Sequence, residues 1–225
     1  MQLTGSSCFA TTFTLILFMT GLALGSLTIF FKRKIFKDEI LVFSLLELTT
    51  GFYGLFSILL FSKQSLNSLI ELSGLFAGSQ EIQQGLIYAS VFLGLLVPTM
   101  CMGATLPVLA SYLEKHSPRN EVTLLSRLYA TNTAGALAGT ISCGFFMLPF
   151  LGIKTTLVAA SSVNLVIALS GFLIRRKTNP VKVSREEADR EPVSFDSGKE
   201  ILFFLSVFIS GLAFFAMESI WTRFL

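Results

Sequence analysis

Charge is scarce in this chain, and its absences are long. Lys, Arg and Asp are missing throughout 9–31, 40–61, 85–112, 128–153, 155–174 and 201–220. A bilayer core of roughly 30 Å needs about 20 apolar residues in a helix, so each stretch is long enough to span it. Only 14% of residues are charged against 52% hydrophobic, and the mean hydropathy is +0.72. A soluble domain of 225 residues would have to hide six such helices in one core, which excludes an ordinary soluble fold. Histidine and cysteine are scarce too. His116 stands alone in a polar loop, and Cys8, Cys101 and Cys143 show no ligand spacing, so no metal site and no cofactor are expected. No soluble-enzyme nucleophile motif occurs, and no strand, Gly-rich turn and helix follow one another as a nucleotide-binding unit requires. The chain is therefore expected not to be an enzyme. Met1–Ser7 carries no basic residue ahead of the first apolar run, which ends in Lys32, Arg33 and Lys34; a stop-transfer flank is expected there rather than a cleavable signal peptide.

The expectation is an all-α polytopic bundle of six transmembrane spans. Its basic residues orient it. Lys32, Arg33, Lys34 and Lys37 lie in the first connection, and Lys115, Arg119 and Arg127 in the third. Arg175, Arg176, Lys177, Lys182, Arg185, Arg190 and Lys199 lie in the fifth. The other side receives Lys63, Lys154 and Arg223 from a total of 17. This asymmetry predicts cytoplasmic loops at 32–39, 113–127 and 175–200, with both termini outside the cell membrane. The basic residues face lipid headgroups, so the lipid bilayer is the expected partner and nucleic acid is not.

Three domains are expected: a five-helix membrane bundle over 1–174, a polar cytoplasmic linker over 175–200, and a sixth span over 201–225. The linker mixes its basic residues with Glu186, Glu187, Asp189, Glu191, Asp196 and Glu200 and carries Pro180 and Pro192. Such a segment lacks the apolar residues to fold alone. The outer loop 62–84 has Leu66, Leu69, Ile70, Ser73 and Phe76 at helical spacing. It reads either as a short amphipathic surface helix or as a polar loop with some leucines.

Small residues recur every fourth position at Gly21 and Gly25 and again at Gly135, Gly139 and Cys143. This spacing lets helix backbones approach closely; the same faces are also open to a substrate-lining role. Pro98 and Pro107 each remove a backbone donor from the third span, predicting a kinked or locally unwound helix that serves either packing or gating. Ionisable residues at membrane depth are functional candidates because a charge at the bilayer centre costs at least about 2.5–3.5 kcal/mol. Glu47 and Glu218 are the two carboxylates in question, and Asn132 and Asn164 are the polar amides within spans. Glu47, Asn132 and Glu218 are the substrate-binding candidates. Glu47 has three readings: a structural hydrogen bond or salt bridge with Arg127 as the natural partner, a substrate or proton site, or a snorkelling residue. Trp221 and Arg223 read as an interfacial anchor and an interfacial charge.

Five strings add a further layer: Leu46-Glu-Leu-Thr-Thr-Gly-Phe-Tyr-Gly-Leu55, Leu96-Val-Pro-Thr-Met-Cys-Met-Gly-Ala-Thr-Leu-Pro107, Arg127-Leu-Tyr-Ala-Thr-Asn-Thr-Ala-Gly-Ala136, Gly144-Phe-Phe-Met-Leu-Pro-Phe-Leu-Gly152, and the run from Ser210 to Leu225 containing Glu218-Ser-Ile-Trp-Thr-Arg223. In this order they resemble the membrane region of the fused major-facilitator/spermidine-synthase-like proteins of bacteria. The resemblance implies a partial major-facilitator half, with the first five spans standing for its second to sixth helices. It also implies that a helix is missing before Met1, and that the last span opens a second repeat and projects from the linker. The loop Lys32–Asp38 departs from that superfamily's Gly-rich, Asp-Arg-containing signature. Implied functions are transport of an undetermined substrate or, alternatively, anchoring of a polyamine-synthase-like enzyme. A second membrane bundle or a soluble enzyme subunit would be the partner. The aminopropyl-transfer domain itself is not among these residues.

Overall fold

A computed structural model describes residues 7–32, 38–60, 62–76, 80–116, 121–177 and 197–224, some side chains near segment ends excepted. The described residues are all helical, without strands. In chain order they form α1 (Ser7–Lys32), α2 (Glu39–Leu60), α3 (Lys63–Phe76), α4 (Gln80–His116), α5 (Glu121–Ile141), a π-helical turn (Ser142–Met147), α6 (Leu148–Lys177) and α7 (Ser197–Phe224). Four segments among them are long and apolar enough to cross a membrane, and Ile201–Phe214 of α7 is a shorter apolar helix.

Polar burial is concentrated on α2. On α2 the residues turned inward are Glu39, Phe43, Ser44, Glu47, Thr50, Gly51, Gly54 and Ser57. Leu45, Phe52, Phe56 and Leu59 of the same helix face outward. With no water to drive apolar side chains inward, helices in lipid associate through small residues and polar contacts instead.

The longest apolar segment, 123–175, is really two helices. The sequence divides it at Lys154; the structure divides it by the π turn and then at Gly152, whose φ of 74° and ψ of 169° break the helix. A positive φ of this kind is open to glycine without steric cost. Pairing across the bundle shows that the chain reverses there. Gly135 and Gly139 of α5 and Cys143 of the π turn meet Phe208, Leu212 and Ala216 of α7, so α5 and α7 run parallel. Gly54 and Gly171 meet Ser161 and Ser44, so α2 and α6 run antiparallel. By the same test α1 is parallel to α4, through Phe13 with Tyr88, Gly21 with Thr99 and Ser26 with Gly103. The helices α2 and α4 are antiparallel, through Glu39 with Lys115 and Tyr53 with Gly94.

One expectation is corrected here and another is narrowed. The last helix does not project from the linker: α7 packs along α5 and α6, with Val207, Ala213, Ala216, Met217 and Ile220 in the core. Its apolar faces and small residues complete a bundle that the first five spans leave open. Nor is α4 unwound at its prolines. It runs unbroken for 37 residues with Pro98 and Pro107 inside it, because each carbonyl that a proline frees has found another donor. The Gly94 carbonyl, four residues before Pro98, accepts the Tyr53 hydroxyl of α2. The Gly103 carbonyl, four before Pro107, accepts Ser26 Oγ of α1 at 2.9 Å. Thr99 and Thr105 bond within α4 itself, to Leu95, Leu96 and Met102. Within 62–84 the chain forms the helix α3, with Ile70 and Leu72 exposed.

At one end of the bundle the consecutive acids opening α2 tie down two other helices. Glu39 pairs with Lys115 of α4, and Asp38 pairs with Arg175 of α6 while capping the Leu41 amide. The described helix ends that lead into the basic loops, at Lys32, His116 and Lys177, lie at this end.

Candidate functional site: a polar seam at Glu47

Along α2, Ser44, Glu47, Thr50 and Ser57 recur at steps of three or seven residues, which places them on one helix face. Gly51 and Gly54 lie between them and bring α6 within backbone distance, against Ser161 and Leu165. The result is a seam between α2 and α6, closed by α7, with polar groups at its centre.

Glu47 is wholly enclosed, at 0% exposure. Its Oε1 accepts a 2.7 Å hydrogen bond from Ser210 Oγ of α7, and its Oε2 has no hydrogen-bond partner. The Cys101 thiol of α4 lies within electrostatic reach of the carboxyl. One turn or more along the seam, Asn164 of α6 donates from Nδ2 to Met217 Sδ at 3.7 Å, a weak acceptor, and its Oδ1 is unpartnered. Ser161 Oγ is unpartnered as well. Thr50 and Ser57, by contrast, satisfy themselves on the Leu46 and Gly54 carbonyls of their own helix. Buried polar atoms are nearly always hydrogen-bonded. Three exceptions along one seam, on two facing helices, single it out.

The sequence leaves Glu47 with three readings, and the structure encloses it. Its partner is not Arg127, however. Arg127 is exposed on α5, and the bond goes to Ser210 of α7. Depth alone suggested Arg127, but α5 packs along α7 while α2 packs along α6. Asn132 is not joined to Glu47 either. It packs against Gly211 of α7, next in sequence to Ser210, so the two candidates flank different faces of the same helix. The side chains of Glu218, Trp221 and Arg223 lie outside the described residues. Ser161 and Ser210 were missed. The available signal was their setting beside small residues, Ala159 and Ala160 before Ser161 and Gly211 after Ser210.

The glycine pairs sit at the closest approaches. A Cβ at Gly21 or Gly25 would collide with Thr99 or the Met100 carbonyl of α4, and at Gly135 or Gly139 with the Phe208 or Leu212 carbonyl of α7. A separate groove of about 390 Å³ opens between α1, α4 and α5 near the basic end, lined by Ser26, Phe30, Pro107, Glu114 and Tyr129 among others. It does not reach Glu47. Among the described residues, no three His, Cys, Asp or Glu side chains come together as metal ligands. No family model, curated protein or solved structure matches the chain.

Proposed function

We propose that this chain is a six-crossing membrane protein of the transporter-like kind, akin to the membrane region of the fused major-facilitator/spermidine-synthase-like proteins, working in the cell membrane. Six crossings follow if α1, α2, α4, α5, α6 and α7 each span once and Gly152 marks a turn at the bilayer surface. Helix directions support this: α1, α4 and α6 run one way, and α2, α5 and α7 the other. The basic loops then share one side, which the positive-inside rule assigns to the cytoplasm, leaving both chain ends outside.

The observation that carries a transport role is the enclosed Glu47 with one unpartnered oxygen. A helix bundle serving only as an anchor has no need of an intramembrane acid, whose retention costs free energy. Glu47 is thus the substrate or coupling-ion group, and a second bundle, in this or another chain, completes the path. The substrate is a cation by charge complementarity.

Two measurements test this. Single cysteines at Lys182 or Arg185 should react with impermeant reagent only after the membrane is opened; labelling from outside overturns the topology. In proteoliposomes on a solid-supported electrode, steps of a polyamine or of Na⁺ should give transient currents that Glu47→Gln abolishes. Correct topology with no current for any cation returns the anchor reading.

A further inference from the structure

The seam holds an acid whose compensation is unaccounted for by the side chains around it. We infer that Glu47 is an exchangeable proton-binding site, with the proton carried on Oε2 and passed along the seam towards the end of the bundle opposite the basic loops. This rests on the transporter reading above and names its coupling ion.

A carboxylate enclosed this far needs a positive partner, because an unpaired buried charge is among the costliest features a protein can carry. None is at hand. On α4 the ionisable residues besides Cys101 are Glu81, Tyr88, Tyr112, Glu114, Lys115 and His116; Lys115 is held by Glu39, and His116 closes the same end of the helix. On α6, Lys154 sits at the far end, and Arg175 is held by Asp38, with Arg176 and Lys177 following it at the helix terminus. The described part of α7 from Ile201 to Met217 has no ionisable residue, and α1 has none between Thr12 and Phe31. Cys101 is the one titratable group within reach, and a thiol supplies no positive charge. The smallest cation that neutralises Glu47 without further room is a proton. Its place is Oε2, since Oε1 already accepts from Ser210.

Exchange needs a path as well as a site. From Glu47 buried polar groups continue both ways, to Ser44 and Glu39 towards the basic end, and over the longer stretch towards the other end to Thr50 and Ser57 on α2 with Asn164, Ser161 and Thr156 on α6. From Glu47 to Ser57 is about 15 Å at 1.5 Å per residue, half the thickness of a bilayer core. Two of the unpartnered atoms, Asn164 Oδ1 and Ser161 Oγ, lie on this stretch. On release the O–H bond at Oε2 breaks heterolytically. Its electron pair stays on the carboxylate, and the proton passes to water admitted along those groups, while Ser210 continues to donate to Oε1.

Infrared difference spectra of the protein in lipid bilayers, in H₂O and after transfer to D₂O, test the idea without any transport assay. The wild type should show a carboxylic acid C=O band that is lost in Glu47→Gln and shifts down in D₂O. Ser210→Ala, which removes the hydrogen bond to Oε1, should move the same band to higher frequency, a signature that survives if Glu47→Gln fails to fold. Asn164→Leu should leave the band in place but slow its exchange several-fold. The inference is overturned if the band persists in Glu47→Gln, is absent from the wild type at every pH, or is untouched by Ser210→Ala. It is overturned equally if the band never responds to D₂O, since Glu47 is then a static acid. Normal exchange with no cation current would sink the transporter reading alone.

Discussion

Two seams of this bundle are built on opposite plans. Between α5 and α7, glycines at 135, 139 and 211 bring the helices into backbone contact, and Cys143 donates to the Ala216 carbonyl at 3.4 Å. Nothing buried there is left without a partner among the described residues. Between α2, α6 and α7 the glycines are also present, at 51, 54 and 171, yet the interface encloses Glu47, Ser161 and Asn164 with three oxygens unsatisfied. The first seam is optimised for contact. The second gives up contact energy to keep polar groups inside, and such sacrifices concentrate at functional sites.

The sharpest break in this comparison is steric. Gly139→Leu drives a side chain into the Leu212 carbonyl and should cost about 3 kcal/mol or more, read as loss of monodisperse protein in detergent. Gly144→Leu, on the same stretch but facing open space, should leave that profile unchanged. Equal damage from both would remove the case for a contact seam.

Next comes the polar seam. Glu47→Leu strands the Ser210 hydroxyl and should lower stability by about 1–3 kcal/mol, whereas Glu47→Gln, which keeps an acceptor, should lose less than about 1 kcal/mol. Denaturation in mixed micelles checks the difference. A Leu variant as stable as the parent would mean that Ser210 and Glu47 contribute nothing to folding.

Smaller effects are expected where α4 joins its neighbours. Tyr53→Phe removes the donor to the Gly94 carbonyl and should cost about 1 kcal/mol. In a Pro98→Ala background the backbone amide restored at that position reclaims the carbonyl, so the same substitution should cost almost nothing. A double-mutant cycle measures this coupling, and additivity would refute the link between proline and tyrosine. Smallest of all, Arg175→Ala removes a half-exposed ion pair with Asp38 and should cost about 0–1 kcal/mol. Added salt should erase even that.

The missing charges made α1, α2 and α4 readable to within a few residues, because an apolar run can be counted along the chain. Glu47 was legible as an interior residue for a similar reason: leucines at 45, 46 and 48 leave an acid no cheap place in lipid. Its partner was not, since Ser210 is 163 residues away and no local periodicity encodes the register between two distant helices. The prolines show the boundary well. That each frees a carbonyl follows from the residue alone; that Tyr53 and Ser26 would reach those carbonyls depends on how α1 and α2 pack. The packing of α7 was misjudged because the polar connector suggested a joint between bundles, and composition is silent on whether the chain returns.

The reversal at Gly152 has a consequence for how the protein is made. On the six-crossing reading, an insertion machinery meets 53 mostly apolar positions at 123–175, with Lys154 the one charge between Arg127 and Arg175, too little polarity to halt and restart translocation twice. The two arms are therefore expected to enter the bilayer together, as a hairpin. Parity then matters more than any single contact. Were the hairpin to insert as one crossing, the connector would emerge on the wrong face and α7 would enter upside down, antiparallel to α5. The Gly135–Phe208 and Gly139–Leu212 contacts could not form, and Ser210 could not reach Glu47. On the six-crossing reading, the turn at Gly152 thereby sets the orientation of the helices that follow it.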